Sequence, residues 1–230
     1  MGCFRPVHVK TVTAREQRGL LGAREMLVRR IRDLDNGVRG LLRGFGLRPP
    51  RHLRGRRSAA VWQLVAEHPV LLAAIDPLLV ARDALAGQLD RKLRDQARAD
   101  PVCQRLMTVP GVGAIVARSD ATAIDDPTRF AKSRSVGPAL GLTPGRHQSG
   151  ETDRVGAITR AGDPRARVAL FEAAQVMMTR VARWFPLKAW AIRVAARRSA
   201  KRAKVALARK LAVILHRLWV GGTDLRSQPP

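Results

Sequence analysis

The stretch "LMTVPGVGAIVA", residues 106–117, decides how the C-terminal half of the chain folds. Gly111 and Gly113 follow an apolar helical segment, and Ala117 comes four residues after the second glycine. This order is typical of a helix-hairpin-helix turn, where the backbone approaches closely and the N–H groups of the next helix can bind a phosphate. The spacing favours that interpretation over a simple glycine C-cap between two packed helices, which stays open as the alternative.

The charge of the chain points to a polyanionic partner. Across 230 residues, 43 Lys and Arg oppose 18 Asp and Glu, which gives a net charge of +25. A surface kept charged for solubility mixes both signs, so DNA or another nucleic acid is the expected partner. The apolar content of 46% excludes a compositionally disordered chain.

Upstream, an apolar repeat predicts a long helical arm. Seven residues recur at spacings of seven, four and three, as in a coiled coil: Leu20, Leu27, Ile31, Leu34, Val38, Leu41 and Phe45. Because glycines weaken a lone helix, the arm needs a partner helix in the same chain or in another. We expect a homo-oligomer through this coiled-coil arm. The Pro- and Gly-containing stretch 46–57 predicts a linker.

The remaining pattern predicts an all-α fold, a coiled-coil arm plus a helical domain that contains the helix-hairpin-helix turn. The expected divisions are an arm with linker (1–57), a helical connector (58–100), a C-terminal domain (101–222) and a tail (223–230). Within the connector, Asp76-Pro77 predicts a helix start, because Asp suits the N-cap and Pro the first helical position.

The C-terminal third concentrates the positive charge. From Arg154 to Arg217, 16 Lys or Arg oppose two acids. Ser199 predicts the start and Gly221 the end of a final helix with one apolar face, and its early cations are candidate DNA contacts: Lys201, Arg202 and Lys204. Three tryptophans are interpreted as core anchors because each lies in an apolar stretch: Trp184, Trp190 and Trp219.

Between these parts lies the polar, glycine-spaced segment 147–167, "HQSGETDRVGAITRAGDPRAR". We interpret it as a binding loop, because connections of this length are uncommon in compact domains. Arginines surround Ser149 and suit phosphate oxygens: Arg146, Arg154, Arg160, Arg165 and Arg167. A serine there could attack phosphorus, and His147 could assist proton transfer. From the residues alone, a simple Ser-Gly turn is the favoured alternative.

Other candidate sites are weak. Asp125 and Asp126 precede Pro127 and indicate an N-cap rather than a paired-carboxylate metal site. Cys3 and Cys103 belong to no Cys-x-x-Cys pair, so no metal site or disulfide framework is predicted. No apolar stretch is close in length to a membrane span, which needs about 20 residues. We expect a cytoplasmic protein with no membrane partner.

Several motifs together resemble a known family. "LMTVPGVG", "IDDPTRF", "VGPALGLTPGRHQSGE", "GAITRAGDPRAR" and "ARKLAVILHRLW" are similar, in order and spacing, to the C-terminal transposase domain of the bridge-RNA-guided insertion-sequence recombinases, the IS one-ten and IS one-sixteen type. The resemblance implies that Ser149 is the nucleophile joined to a DNA phosphate, and that a guide RNA is a possible partner. "GAIVARSDAT" departs from it, because Arg118 and Asp120 stand where the family is usually apolar.

The resemblance also implies a preceding acidic RNase H-like domain that binds magnesium, and we expect this chain to be without it. We therefore expect no cofactor in the chain itself, with magnesium implied only for that missing domain. The leading hypothesis is the DNA-binding part of a transposase, truncated and inactive alone. The alternatives are a non-catalytic helix-hairpin-helix module that binds nucleic acid, and a basic membrane-surface protein.

Overall fold

A computed structural model describes residues 8–50, 53 and 56–225 of the chain. The predicted helical fold is confirmed, with one short β-hairpin added to it. The described α-helices are α1 (Val12–Gly44), α2 (Arg56–Val65), α3 (Pro69–Leu85), α4 (Gln88–Ala99), α5 (Pro101–Met107), α6 (Ala114–Ile124), α7 (Val136–Ala139), α8 (Pro164–Thr179), α9 (Pro186–Arg198) and α10 (Ala200–Gly221). Two 3-10 turns, Pro127–Arg129 and Ser133–Ser135, lie between α6 and α7, and the antiparallel strands β1 (Pro144–Ser149) and β2 (Thr152–Ile158) lie between α7 and α8.

The chain divides into two compact units at positions that the sequence pattern did not suggest. One unit is Gly19–Lys92, and the other combines Met1–Arg18 with Leu93–Pro230. The expected arm and connector thus fall largely into one unit, while the start of the arm belongs with the C-terminal domain. The predicted linker lies partly outside the described residues, at positions 51, 52, 54 and 55.

In the Gly19–Lys92 unit, the arm helix finds apolar partners in its own chain. Val38 and Leu42 of α1 are buried in one cluster with side chains from α2 and α3. Leu53, inside the predicted linker, is also fully buried there. Leu41 and Phe45 were expected on the seam but are exposed, because the buried side of the helix continues from Val38 to Leu42.

The predicted helix start at Asp76-Pro77 is wrong. Pro69 occupies the first turn of α3, and Pro77 lies inside the helix. Asp76 accepts a hydrogen bond from Trp62 Nε1 at 2.8 Å, so its carboxylate serves packing against α2 rather than capping. The helix begins after His68, which makes no side-chain cap, and its earlier start adds Leu71 to the buried apolar cluster.

A buried arginine holds this unit together as well. Arg82 of α3 is 1% exposed, and its Nε donates to Asp35 of α1 at 2.9 Å while Nη1 pairs with Asp83. A guanidinium removed from water needs such carboxylates, because an uncompensated buried charge costs several kcal/mol. The ion pair between Arg82 and Asp35 therefore fixes α3 against α1 in a specific register.

The C-terminal unit is a helical core around α8 and α10. These helices pack on each other and on α9, and α6 packs on α8. The final helix forms as predicted: Ser199 accepts a hydrogen bond from Arg202 N, and Gly222 ends the helix in a left-handed conformation. Its buried side includes Leu207, Leu211, Leu215 and Leu218.

The prediction that all three C-terminal tryptophans anchor the core is only partly correct. Trp190 and Trp219 pack against the core of the C-terminal unit. Trp184 is exposed, because it lies in the connection between α8 and α9 instead of inside a helix.

The first described residues are bound to the end of α6. Asp125 accepts hydrogen bonds from His8 Nε2 at 2.8 Å, Thr11 N at 2.9 Å and Thr11 Oγ1 at 2.7 Å. Burial opposes ionisation of this carboxyl, but the bonds from Thr11 and His8 and the charge of Lys10 lower its pKa. Asp126 caps the next 3-10 turn through Thr128 N, as the N-cap interpretation predicted. Asp125 and Asp126 thus have separate protein partners and are not arranged as a pair of carboxylates around one metal ion.

The two polar residues that depart from the family pattern are both buried in α6. Arg118 is neutralised by Asp100 Oδ2 at 2.7 Å, and the same carboxyl group caps α5 through Val102 N and Cys103 N. Asp120 is 1% exposed, and neither of its oxygens has a hydrogen-bond partner among the described residues. Burial raises the pKa of Asp120 to about 7, so the residue is tolerated in its protonated form.

Asp120 should make stability depend on pH. Its pKa rises from 3.8 to about 7 on folding. The unfolded chain therefore releases this proton first, and the free energy of unfolding falls as pH rises between about 4 and 7. Relative to Asp120→Asn, the original chain should lose roughly 4 kcal/mol over that interval, measured by urea unfolding at a series of pH values.

Ser119→Ala is the matched control, because Ser119 is buried next to Asp120 and does not titrate in this range. It should shift the unfolding free energy by the same amount at every pH. If the free energy of unfolding changed with pH in the same way for the original chain and Asp120→Asn, the raised pKa assigned to Asp120 would be contradicted.

Candidate nucleic-acid interface

The predicted helix-hairpin-helix segment forms two helices joined by a tight glycine turn. α5 ends at Met107 and α6 starts at Ala114. Gly113 is the N-cap of α6 and provides no side chain to bind the free N–H groups of the first turn. It is exposed, so these N–H groups are oriented for an anion from solvent.

The two glycines of the turn have different tasks. Gly111 has a φ of +86°, and a Cβ there would lie 2.9 Å from the carbonyl oxygen of Ala173 in α8. Gly113 has a φ of −95° and no neighbour within 4 Å of such an atom. Gly111 thus lets the turn pack against α8, while Gly113 leaves the α6 N-terminus open.

The segment interpreted as a loop is largely a β-hairpin. Ser149 pairs with Thr152 at its tip, across a two-residue turn of Gly150 and Glu151. Gly150 has a φ of +54°, which glycine adopts without strain. Nearly all described side chains on both strands are exposed, so the hairpin has no buried apolar face of its own.

Strand register decides which arginines accompany the serine. Arg154 follows Thr152 by two residues, so the side chains of Ser149, Thr152 and Arg154 share one face. Arg146 lies on the other face, where it binds Asp153 through Nε–Oδ1 at 3.1 Å and Nη2–Oδ2 at 2.7 Å. The backbone of His147 pairs with Arg154, but its side chain lies outside the described part of the structure.

The base of the hairpin is interlocked with the helical core. A Cβ on Gly141 would collide with the backbone of Ala161, and one on Gly162 with the carbonyl group of Ala139. Arg160 N donates to Gly141 O at 3.2 Å, and Arg160 itself adopts a φ of +58°. The two backbones approach this closely because neither glycine carries a side chain.

Two of the arginines expected to contact DNA bind protein backbone instead. Arg167 Nη1 donates to Leu140 O at 3.1 Å and to Ala161 O, so it joins both sides of the hairpin base. Arg165 Nη1 donates to Arg18 O at 3.3 Å. Both side chains are half-buried, whereas Arg154 and Arg160 are exposed.

The last group of predicted contacts lies at the start of α10. Lys201 and Arg202 are exposed and Lys204 is half-buried, in a first turn without acidic residues. The helix N-terminus adds its own partial positive charge to these cations. Within the described ranges, no cluster of three His, Cys, Asp or Glu is arranged to hold a metal ion, and none of the helices there has the length and apolar character to cross a membrane.

Comparison with known proteins identifies this part of the chain. A model of the transposase IS116/IS110/IS902 family matches residues 103–188, which include the glycine turn and the hairpin. Residues 103–188 are therefore similar to this transposase family. The protein y4pF/y4sB of Sinorhizobium fredii is 33% identical over 97% of this chain and 60% of its own length.

Further relatives agree with that assignment. The transposase for insertion sequence element IS1111A of Coxiella burnetii is 31% identical over 92% of this chain, and this chain covers 60% of it. A Pseudomonas aeruginosa protein named "Probable family 20 transposase" is 32% identical over 92% of this chain and 65% of its own length. The chain thus spans less than two thirds of these transposase relatives.

The sequence interpretation missed several residues that shape the transposase-family segment. Thr152 is paired with Ser149, and Gly141 allows the hairpin base to pack. Asp163 caps α8 and pairs with Arg18. Gly150 at the first position of a two-residue turn was the one local signal for the hairpin, whereas the close approach at Gly141 has no local sequence signal.

The glycine turn generates a stability prediction. Gly111→Ser should lower the free energy of unfolding by about 2–4 kcal/mol, because it combines a left-handed backbone with a clash against α8. Gly113→Ser should be neutral or slightly stabilising, because serine is a favoured N-cap. Urea unfolding of the two variants measures the difference.

Gly113→Ser also serves as the binding variant, since it leaves the fold intact. Its hydroxyl would compete with a phosphate for the α6 N–H groups and should weaken DNA binding. Equal stability of the two serine variants would contradict the different tasks assigned to the two glycines.

Proposed function

We propose that this chain is the DNA-binding, serine-bearing part of an insertion-sequence transposase. The single observation that carries the proposal is the hairpin, which places Ser149 at an exposed tip beside Arg154 and is rigidly joined to a strongly basic helical core. The family match and the names of the relatives support this assignment.

In this proposal, Ser149 Oγ attacks a DNA phosphate. The Oγ–P bond forms while the bond from phosphorus to the departing sugar oxygen breaks, and the departing oxygen takes up a proton. Arg154 would stabilise the charge that develops on the phosphoryl oxygens, and His147 would receive the serine proton. Arg146 is neutralised by Asp153 on the opposite face and would orient the hairpin rather than bind phosphate.

In this proposal, DNA is bound by groups that are exposed to solvent. These are the α6 N-terminus at Gly113, the exposed Arg154 and Arg160, and the first turn of α10. A guide RNA and assembly into homo-oligomers through the arm are part of the same proposal. Leu41 and Phe45 provide exposed apolar side chains on the arm for a second protomer.

Among the described residues, no group of three His, Cys, Asp or Glu side chains is arranged to hold a metal ion. No step at Ser149 is therefore assigned to a metal held here. A non-catalytic nucleic-acid-binding module is the alternative function. The exposed N-terminus of α6 supports it, because helix N–H groups can bind a phosphate without any reaction.

Salt dependence tests the binding part of the proposal. Affinity for duplex DNA should fall steeply as salt rises, since cations on the protein replace counterions. Arg154→Gln should reduce the slope of log affinity against log salt by about one, because it removes one phosphate contact. Fluorescence anisotropy with a labelled duplex provides the measurement.

Arg167→Gln is the matched control, because its guanidinium is committed to Leu140 O and Ala161 O. It should leave the salt slope unchanged. An affinity for duplex DNA that does not change with salt would disprove binding to the DNA backbone. A salt slope reduced in Arg167→Gln but not in Arg154→Gln would assign the phosphate contact to Arg167 instead of Arg154.

Covalent adduct formation tests the chemistry. With an acidic domain, a guide RNA and magnesium supplied separately, the chain should form a protein–DNA adduct visible on a denaturing gel. Ser149→Ala should abolish the adduct and keep DNA binding, because only the nucleophile is removed.

Thr152→Ala is the control, because Thr152 carries a second hydroxyl directly across the hairpin. The adduct should persist in this variant. If it persisted in Ser149→Ala and disappeared in Thr152→Ala, Ser149 would be removed from the mechanism.

A further inference from the structure

One tryptophan of the C-terminal unit is left in solvent. Trp184 is 63% exposed, whereas Trp190 and Trp219 pack against the core of the same unit. Trp62, in the other unit, packs on an apolar cluster and donates Nε1 to Asp76. Among the four tryptophans of the chain, Trp184 therefore keeps a large aromatic surface available to a ligand.

The position of this ring is fixed by its neighbours. Phe185 packs against the core, and Pro186 opens α9 directly after it. Lys188 Nζ lies 5.6 Å from the centroid of the Trp184 ring and donates a hydrogen bond to Val181 O. The indole is thus presented by an anchored connection between α8 and α9.

The surroundings of the ring are positive. Residues 173–223 contain 12 Lys or Arg and no Asp or Glu. Arg180 and Arg183 are exposed on the connection that carries Trp184. A ligand for this surface has to combine a flat apolar face with negative charge.

We propose that Trp184 is a stacking platform for an unpaired base of single-stranded nucleic acid. Arg180 and Arg183 would contact the flanking phosphates, and Lys188 holds the ring for the base. Stacking on tryptophan accepts any base, since every base has a π face. The inference rests on the proposed nucleic-acid function and narrows it to an unpaired strand at this position.

A duplex does not satisfy the same surface. Its bases are already stacked on each other, so their faces are closed to an indole ring, and only the phosphates remain for the cations. Trp184 should therefore contribute to binding of a single strand and contribute little to binding of a duplex. That difference separates stacking from general electrostatic attraction.

The test compares single-stranded and duplex DNA of matched length on the whole chain, by fluorescence anisotropy at one salt concentration. Trp184→Ala should weaken binding of the single strand by roughly 5-fold to 100-fold. Binding of the duplex should change less than about 2-fold. Trp184→Phe should retain most of the single-strand affinity, because phenylalanine also stacks.

Val220→Ala is the control, since Val220 is an exposed apolar residue in the same acid-free stretch. It should bind both forms like the original chain. Arg183→Gln should weaken both forms, because it removes a charge rather than a stacking face.

The base-analogue 2-aminopurine gives a direct signal. Placed in the single strand, its fluorescence should be quenched on binding to the original chain and less so with Trp184→Ala. Equal effects of Trp184→Ala on both DNA forms, or no effect, would overturn the inference while leaving the proposed function standing. Failure of the original chain to bind either form would instead remove the proposed function and the inference together.

Discussion

The carboxylate of Asp163 joins three parts of the C-terminal unit. It caps α8 by accepting hydrogen bonds from Arg165 N and Ala166 N, and it pairs with Arg18 near the start of the arm. Burial opposes its ionisation, but Arg18 and the α8 N–H groups lower its pKa, so it stays charged. Only residues 159–162 separate strand β2 from this cap, so the cap helps to fix where the serine-bearing strands leave the core. The helix, the hairpin and the first arm residues thus share one anchor.

Arginines of the same sequence region have different tasks because their surroundings differ. Arg167 and Arg165 donate to backbone oxygens and complete the hairpin base and the arm contact. Arg146 binds a carboxylate on the hairpin itself. Arg154 and Arg160 remain exposed, and with the cations of α10 they make up the surface proposed to bind DNA. A count of positive charges therefore overstates the number of cations without a protein partner.

Local rules predicted much of the C-terminal helices and of the glycine turn. Ser199, the leucine spacing and the terminal glycine were sufficient for α10, because caps and periodicity are properties of neighbouring residues. The same rules failed at Asp76-Pro77, because the helix already begins at Pro69, and at Leu41 and Phe45, which are exposed. They also interpreted segment 147–167 as a loop, although its first part pairs as a β-hairpin.

The sequence by itself determined the helical class, the basic character, the family resemblance and the identity of the serine-bearing segment, since these depend on composition and short-range pattern. Only the tertiary structure decided that Gly111 packs on α8 while Gly113 stays open, that Arg167 faces backbone carbonyls, and that Trp184 is exposed. Each of these depends on residues far apart in the chain. Their contacts exist only after α8 and its neighbours have packed, so no local pattern encodes them.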